Sequence, residues 1–117
     1  MQFLNSLKEY GCNIDSGLIR LKGKTDFYKR LIFKFPEVIE ENEFQSLIEN
    51  KEIERAIEKT HLIKGVTANL SFDTLYESYT KIVEYLRANN PEDALNEFLK
   101  IKDLENRLVE HIKNNAD

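Results

Sequence analysis

The sequence predicts an all-α fold, an antiparallel four-helix bundle with short additional helices at its amino terminus. Apolar residues recur at spacings of three and four along nearly the whole chain, and strand-like alternation is hard to find. Only four glycines and two prolines occur among 117 residues, too few for many hairpins and long loops. Helix start and stop signals separate the periodic stretches.

Phe3, Leu4, Leu7 and Tyr10 predict a short first helix, closed by Gly11 as a C-cap. Asp15 is placed as the N-cap of a brief helix carrying Leu18, Ile19 and Leu21, with Gly23 ending it. Thr25 caps the next helix, whose apolar positions are Tyr28, Leu31, Ile32, Phe35 and Ile39. Pro36 lies inside that pattern and removes a backbone donor, so a kink or break is expected there. Phe44, Leu47 and Ile48 continue the apolar pattern and favour a kink. Asn50 and Lys51 then form a short turn before the helix that bears His61. A further helix runs from about Phe72 to Ala88 with Leu75, Tyr79, Ile82 and Leu86 at core spacing. Asn90 followed by Pro91 is a strong start signal, and Glu92 and Asp93 suit the positive end of the helix dipole. Phe98, Ile101, Leu104, Leu108 and Ile112 form the last stripe. The division expected is a single domain over 1–117, with an amino-terminal helical segment over 1–24 and the bundle over 25–115. Such bundles bury facing stripes through short connections.

Composition narrows the function. The net charge of −4 argues against nucleic-acid binding, which shows as a basic stripe. No apolar run approaches the length needed to span a membrane. The opening Met-Gln-Phe-Leu-Asn-Ser lacks the features of a signal peptide, and the lone Cys12 allows no internal disulfide. A cytoplasmic protein is expected, and Met1 favours a free-standing one. Cys12 has no base beside it in sequence and needs no functional reading.

The decapeptide His61-Leu-Ile-Lys-Gly-Val-Thr-Ala-Asn-Leu70 carries the most information. At about 100° per residue, Ile53, Ala56, Thr60, Ile63, Val66, Thr67 and Leu70 gather on a core face. Glu54, Glu58, His61, Gly65 and Ala68 gather on the other, so His61 is expected to look outward. Gly65 costs the helix about 1 kcal/mol relative to alanine, on a face where no packing demands it. Its absent side chain clears an approach to the imidazole one turn away. Lys64, on the same side, is a cation able to donate hydrogen bonds to phosphoryl oxygens.

His61, Lys64, Gly65, Asn69 and Leu70 resemble the motif of histidine-containing phosphotransfer (HPt) domains of two-component phosphorelays: His, any two residues, Lys-Gly, then Asn-Leu before the next helix. The segment Ile14–Leu21 resembles the family's short helix before the bundle, and Phe27–Ile32 its first long helix. The resemblance implies a phosphorelay intermediate without kinase activity of its own. Its partners would be response-regulator receiver domains and a hybrid sensor kinase, with no nucleic acid and no membrane. The imidazole Nε2 of His61 would accept the phosphoryl group from a receiver's aspartyl phosphate and pass it to a second receiver. Lys64 would neutralise phosphate, and Gly65 would give steric clearance. The chain would bind no cofactor or metal, the divalent ion belonging to the receiver. Ile57, Glu58, Leu62 and Ala68 would surround the docked partner, and a monomer is expected. Ser71 departs from the family, which favours glycine there as a left-handed C-cap. Thr60 stands where a small apolar residue is commoner; its hydroxyl can bond a carbonyl one turn back.

Other classes are weaker. Glu58-x-x-His61 fits half of a di-iron motif, but Leu108 precedes His111 where the second Glu belongs. A sensor-kinase dimerisation domain would have an acidic residue directly after its histidine, where this chain has Leu62. A catalytically silent helical-bundle adaptor that binds signalling partners without phosphorylation is the principal alternative. His111, without lysine or glycine companions, is read as a solvated residue near the last helix terminus.

Overall fold

The structure, a computed structural model, describes residues 2–40 and 43–116. Every regular element among them is helical. The amino-terminal apolar cluster forms α1 (Gln2–Ser6) and then tightens into a 3-10 turn over Leu7–Tyr10, rather than one helix. Gly11 closes it at φ 76°, the left-handed conformation that glycine adopts without a Cβ penalty. Helix α2 (Ile14–Arg20) is capped by Asn13, whose side chain accepts from the Ser16 amide at 3.1 Å. The cap is therefore two residues earlier than expected, and Asp15 lies inside the first turn, where its charge suits the dipole. Ile19 points away from the core and is 77% exposed.

Helix α3 (Thr25–Glu40) runs unbroken through Pro36. It starts at Thr25 itself, with the Tyr28 amide donating to the Lys24 carbonyl. The apolar residues beyond Pro36 do not continue α3. Phe44, Leu47 and Ile48 belong to a separate helix, α4 (Phe44–Glu49). Glu43, non-helical at φ −102°, ψ 40°, separates the two, so proline costs α3 a hydrogen bond without ending it. Pro36 is buried with Tyr28, Ile32 and Phe35 on the inner face of α3.

A turn at Asn50–Lys51 leads into α5 (Ile53–Leu70), which carries His61. Helices α6 (Asp73–Arg87) and α7 (Pro91–Asn114) follow after connections of two and three residues. Asn90 occupies the N-cap position of α7 without a side-chain cap bond, and Pro91 opens the helix. Twenty-four residues at about 1.5 Å each make α7 about 36 Å long. That accounts for most of the 42 Å long dimension.

Helix α5 packs against α3, α4 and α6, and α7 packs against α3, α4 and α6. The long helices thus enclose one apolar core, in which Tyr28, Phe35, Phe72, Tyr79, Leu75 and Ile63 are fully buried. Phe35 meets Phe72 edge-on at 5.1 Å between centroids, a favoured aromatic geometry. Tyr28 brings its hydroxyl with it and donates to the Leu70 carbonyl at 2.6 Å, satisfying a buried polar group. Gly17 makes room for that ring, because a Cβ there would overlap the Tyr28 ring and hydroxyl. No helix among the described residues is long and apolar enough to cross a membrane.

Candidate functional site

Helix α5 divides its residues as the periodicity predicts. Ala56, Thr60, Ile63, Thr67 and Leu70 are buried, with Ile53 and Val66 half-buried beside them. Two threonines on that inner face would be costly if unpaired, but each bonds its own helix. Thr60 donates to the Ala56 carbonyl at 2.8 Å, and Thr67 to the Lys64 carbonyl at 2.8 Å. Both hydroxyls are thus committed to the backbone and neither serves His61.

His61 is exposed, as are Glu54, Glu58 and Gly65 on the same side. Among the described residues, the side chains of His61 and Lys64 make no hydrogen bond or ion pair. The imidazole nitrogens face solvent, and the ammonium is not neutralised by a carboxylate. The unbroken helix holds Lys64 and Gly65 three and four residues from His61, so both positions neighbour it on the helix surface. A Cβ built on Gly65 would meet nothing within 4 Å. No close helix crossing therefore accounts for this glycine, and the space over it is open. Leu62 is 58% exposed beside the histidine, while Ile57 and Ala68 are half-buried at the edges of the face.

The C-terminal end of α5 is set by Ser71 at φ 59°, ψ 37°. The left-handed cap forms with serine where glycine would suit it better. The Phe72 amide donates to the Thr67 carbonyl at 2.9 Å, and the Ser71 carbonyl accepts from the Asn13 amide at 2.7 Å. The fully buried turn is thus held from two sides.

The second histidine differs from its sequence expectation. His111 lies in the last turns of α7 but is half-buried rather than solvated. Its ring stacks near Phe3 at 5.9 Å and Tyr10 at 5.1 Å, and Nε2 lies 2.6 Å from the Ser6 hydroxyl. Ser6 has one hydroxyl proton and gives it to the Phe3 carbonyl at 2.5 Å. Nε2 of His111 is therefore engaged with Ser6 rather than open to solvent. A sequence reader could have suspected this only by pairing the first ten residues with the last ten, which local periodicity does not do.

A second buried polar pair escaped the sequence reading. Glu105 on α7 is 2% exposed, and Tyr79 on α6 donates to its Oε1 at 2.5 Å. Burial pushes the Glu105 carboxyl up to about 7, while the Tyr79 bond works in the opposite sense. Cys12 is buried as well, and its thiol is pushed up to about 12 by burial and the nearby Asp73 charge, which makes it a poor nucleophile. Among the described residues no group of His, Cys, Asp and Glu is arranged to hold a metal ion. No family model, no curated protein and no solved structure matches the chain.

Proposed function

We propose that this chain is a phosphorelay intermediate of the HPt kind, with α3, α5, α6 and α7 forming its antiparallel four-helix bundle and His61 accepting the phosphoryl group. The closed circuit of contacts among these four helices supports the bundle. One observation carries the function: an exposed imidazole stands next to a mid-helix glycine with open space above it, and nothing in the packing calls for that glycine.

The chemistry follows from the side chains present. The lone pair of His61 Nε2 attacks phosphorus as the P–O bond to a receiver's aspartate breaks, and the carboxylate leaves with that electron pair. Lys64, whose ammonium is unpaired among the described residues, offers a cation to the phosphoryl oxygens. The acyl phosphate is already a reactive donor, so no third residue need activate the ring. The divalent metal and most of the charge stabilisation belong to the partner. Leu62, with Ile57 and Ala68, supplies apolar contact for a docked receiver, and Glu54 and Glu58 can pair with its basic groups. His111 is a poor second candidate, because its ring is half-buried against Phe3 and Tyr10 and its Nε2 is hydrogen-bonded to Ser6.

The test incubates the chain with phosphorylated receiver domains and follows label onto it. Acid-labile, alkali-stable phosphate should appear on the wild type and be absent from His61→Gln at unchanged helicity. Acceptance at the wild-type rate by His61→Gln would refute the assignment. Receiver binding without transfer to either protein would favour the silent adaptor.

A further inference from the structure

Between α4 and α7 lies a cavity of about 350 Å³, walled by Ile39, Phe44, Phe98 and Val109, with Glu105 among its lining residues. Six-residue α4 is far too short to be stable alone and depends on what it packs against. On the α7 side it is held by Phe44 against Phe98, 5.0 Å between centroids, and by Lys102 donating to Gln45 at 2.8 Å. Beneath these contacts sits a carboxyl group with a single hydrogen bond among the described residues, from Tyr79.

Among the described residues, no charge around the cavity is paired with Glu105. From α3 comes Glu40, and Glu43 precedes α4; both share its sign. From α4 come only the uncharged Gln45 and Ser46, and from α6 the Tyr79 phenol. From α7 come Lys102, engaged with Gln45, and Lys113, paired with Glu40. A buried carboxylate is stable only when paired or hydrated, and here the cavity beside it is the available route for water.

We propose that the α4–α7 seam is a proton-controlled latch: with Glu105 neutral α4 is closed against α7, and ionisation of Glu105 admits water and releases α4 from α7. Burial places that ionisation near neutral pH, so the latch works within the range a cell can reach. This inference is independent of the phosphotransfer reading, since it concerns the side of the fold built from α4 and α7.

The test is native-state hydrogen exchange of the α4 amides, Leu47 through Asn50, on the full chain at pH 5.5 and 8. Protection factors, which already remove the intrinsic base-catalysed rate, should fall by about tenfold or more in the wild type, tenfold corresponding to one unit of pKa shift. Glu105→Gln keeps the shape and the acceptor for Tyr79 and should make α4 protection independent of pH. Tyr79→Phe removes the donor that favours the ionised form, so the transition should move to higher pH. The opening should also show little dependence on sub-denaturing urea, as a local event exposes little surface. Protection that does not change with pH, a change of equal size in Glu105→Gln, or α4 exchange that rises with urea as steeply as global unfolding would each overturn the latch.

Discussion

Gly65 offers a perturbation whose effects on stability and on function should have opposite signs. A glycine in a helix interior is less favourable than alanine by about 0.8–1.0 kcal/mol. A Cβ at position 65 meets nothing within 4 Å, so no clash offsets that gain and no new packing adds to it. Gly65→Ala should therefore stabilise the fold by about 1 kcal/mol. At roughly 2.1 cal/mol/K per residue, unfolding of 117 residues has an entropy of about 0.25 kcal/mol/K, so the Tm should rise by about 4 °C. Gly65→Leu should likewise fold, with the longer side chain lying in the open space one turn from His61. There it would displace an incoming phosphoryl donor by an ångström or more, and a 1 Å misplacement costs about 100-fold in rate. Calorimetry of both variants and rapid-quench rates of transfer from a phosphorylated receiver measure the two effects separately. A drop in Tm for Gly65→Ala would show that the glycine has a packing role. Wild-type transfer by Gly65→Leu would remove the steric argument altogether.

Other expectations follow from the same geometry. Lys64→Ala should slow phosphoryl acceptance by about tenfold, the loss of one charge-assisted hydrogen bond, whereas His61→Gln abolishes it; equal losses would mean Lys64 does more than neutralise charge. Ser71→Gly should raise the stability measured by urea titration by about 1 kcal/mol, because glycine relieves a left-handed backbone and the Ser71 hydroxyl makes only a 3.4 Å contact with Ser16. Glu105 sets a pH dependence of known sign. Its folded value of about 7 lies above the ordinary 4.5, so its favourable contribution is fully present below pH 4.5 and is lost as pH rises through 7. Denaturant titrations should show stability declining over that window by on the order of 3 kcal/mol, and Glu105→Gln should flatten the decline. A rise with pH in the wild type would contradict the assignment.

What could be read in the sequence was whatever is local and periodic. The faces of α5 and α6, the Asn90-Pro91 start and the outward position of His61 depend on 100° per residue and on capping chemistry, both carried by neighbours in the chain. The apolar stripe of α7 faces the core, but it leaves out a charged residue at its middle. Leu104 packs half-buried against the core, while the fully inward series is 98, 101, 105, 108 and 112. Glu105 occupies that series, and its charge concealed it. Its partner, Tyr79, lies 26 residues away, so only tertiary packing could show that a carboxyl belongs in the interior. The same reason hid the His111–Ser6 bond, which spans 105 residues. Pro36 misled in another way. A proline removes one hydrogen bond whether or not the helix continues, and α3 ends four residues later. The Asn13 cap was displaced from Asp15 because both residue types cap well, and only the amide of Ser16 chooses between them.

The central claim is that the chain carries phosphate on an outward imidazole. The chain should be phosphorylated by a receiver domain, digested under mildly alkaline conditions and mapped by fragment mass spectrometry. The account predicts a single phosphate, bound to a ring nitrogen of His61. Phosphate found on His111 or on a hydroxyl, or none on a chain that binds the phosphorylated receiver, would contradict it.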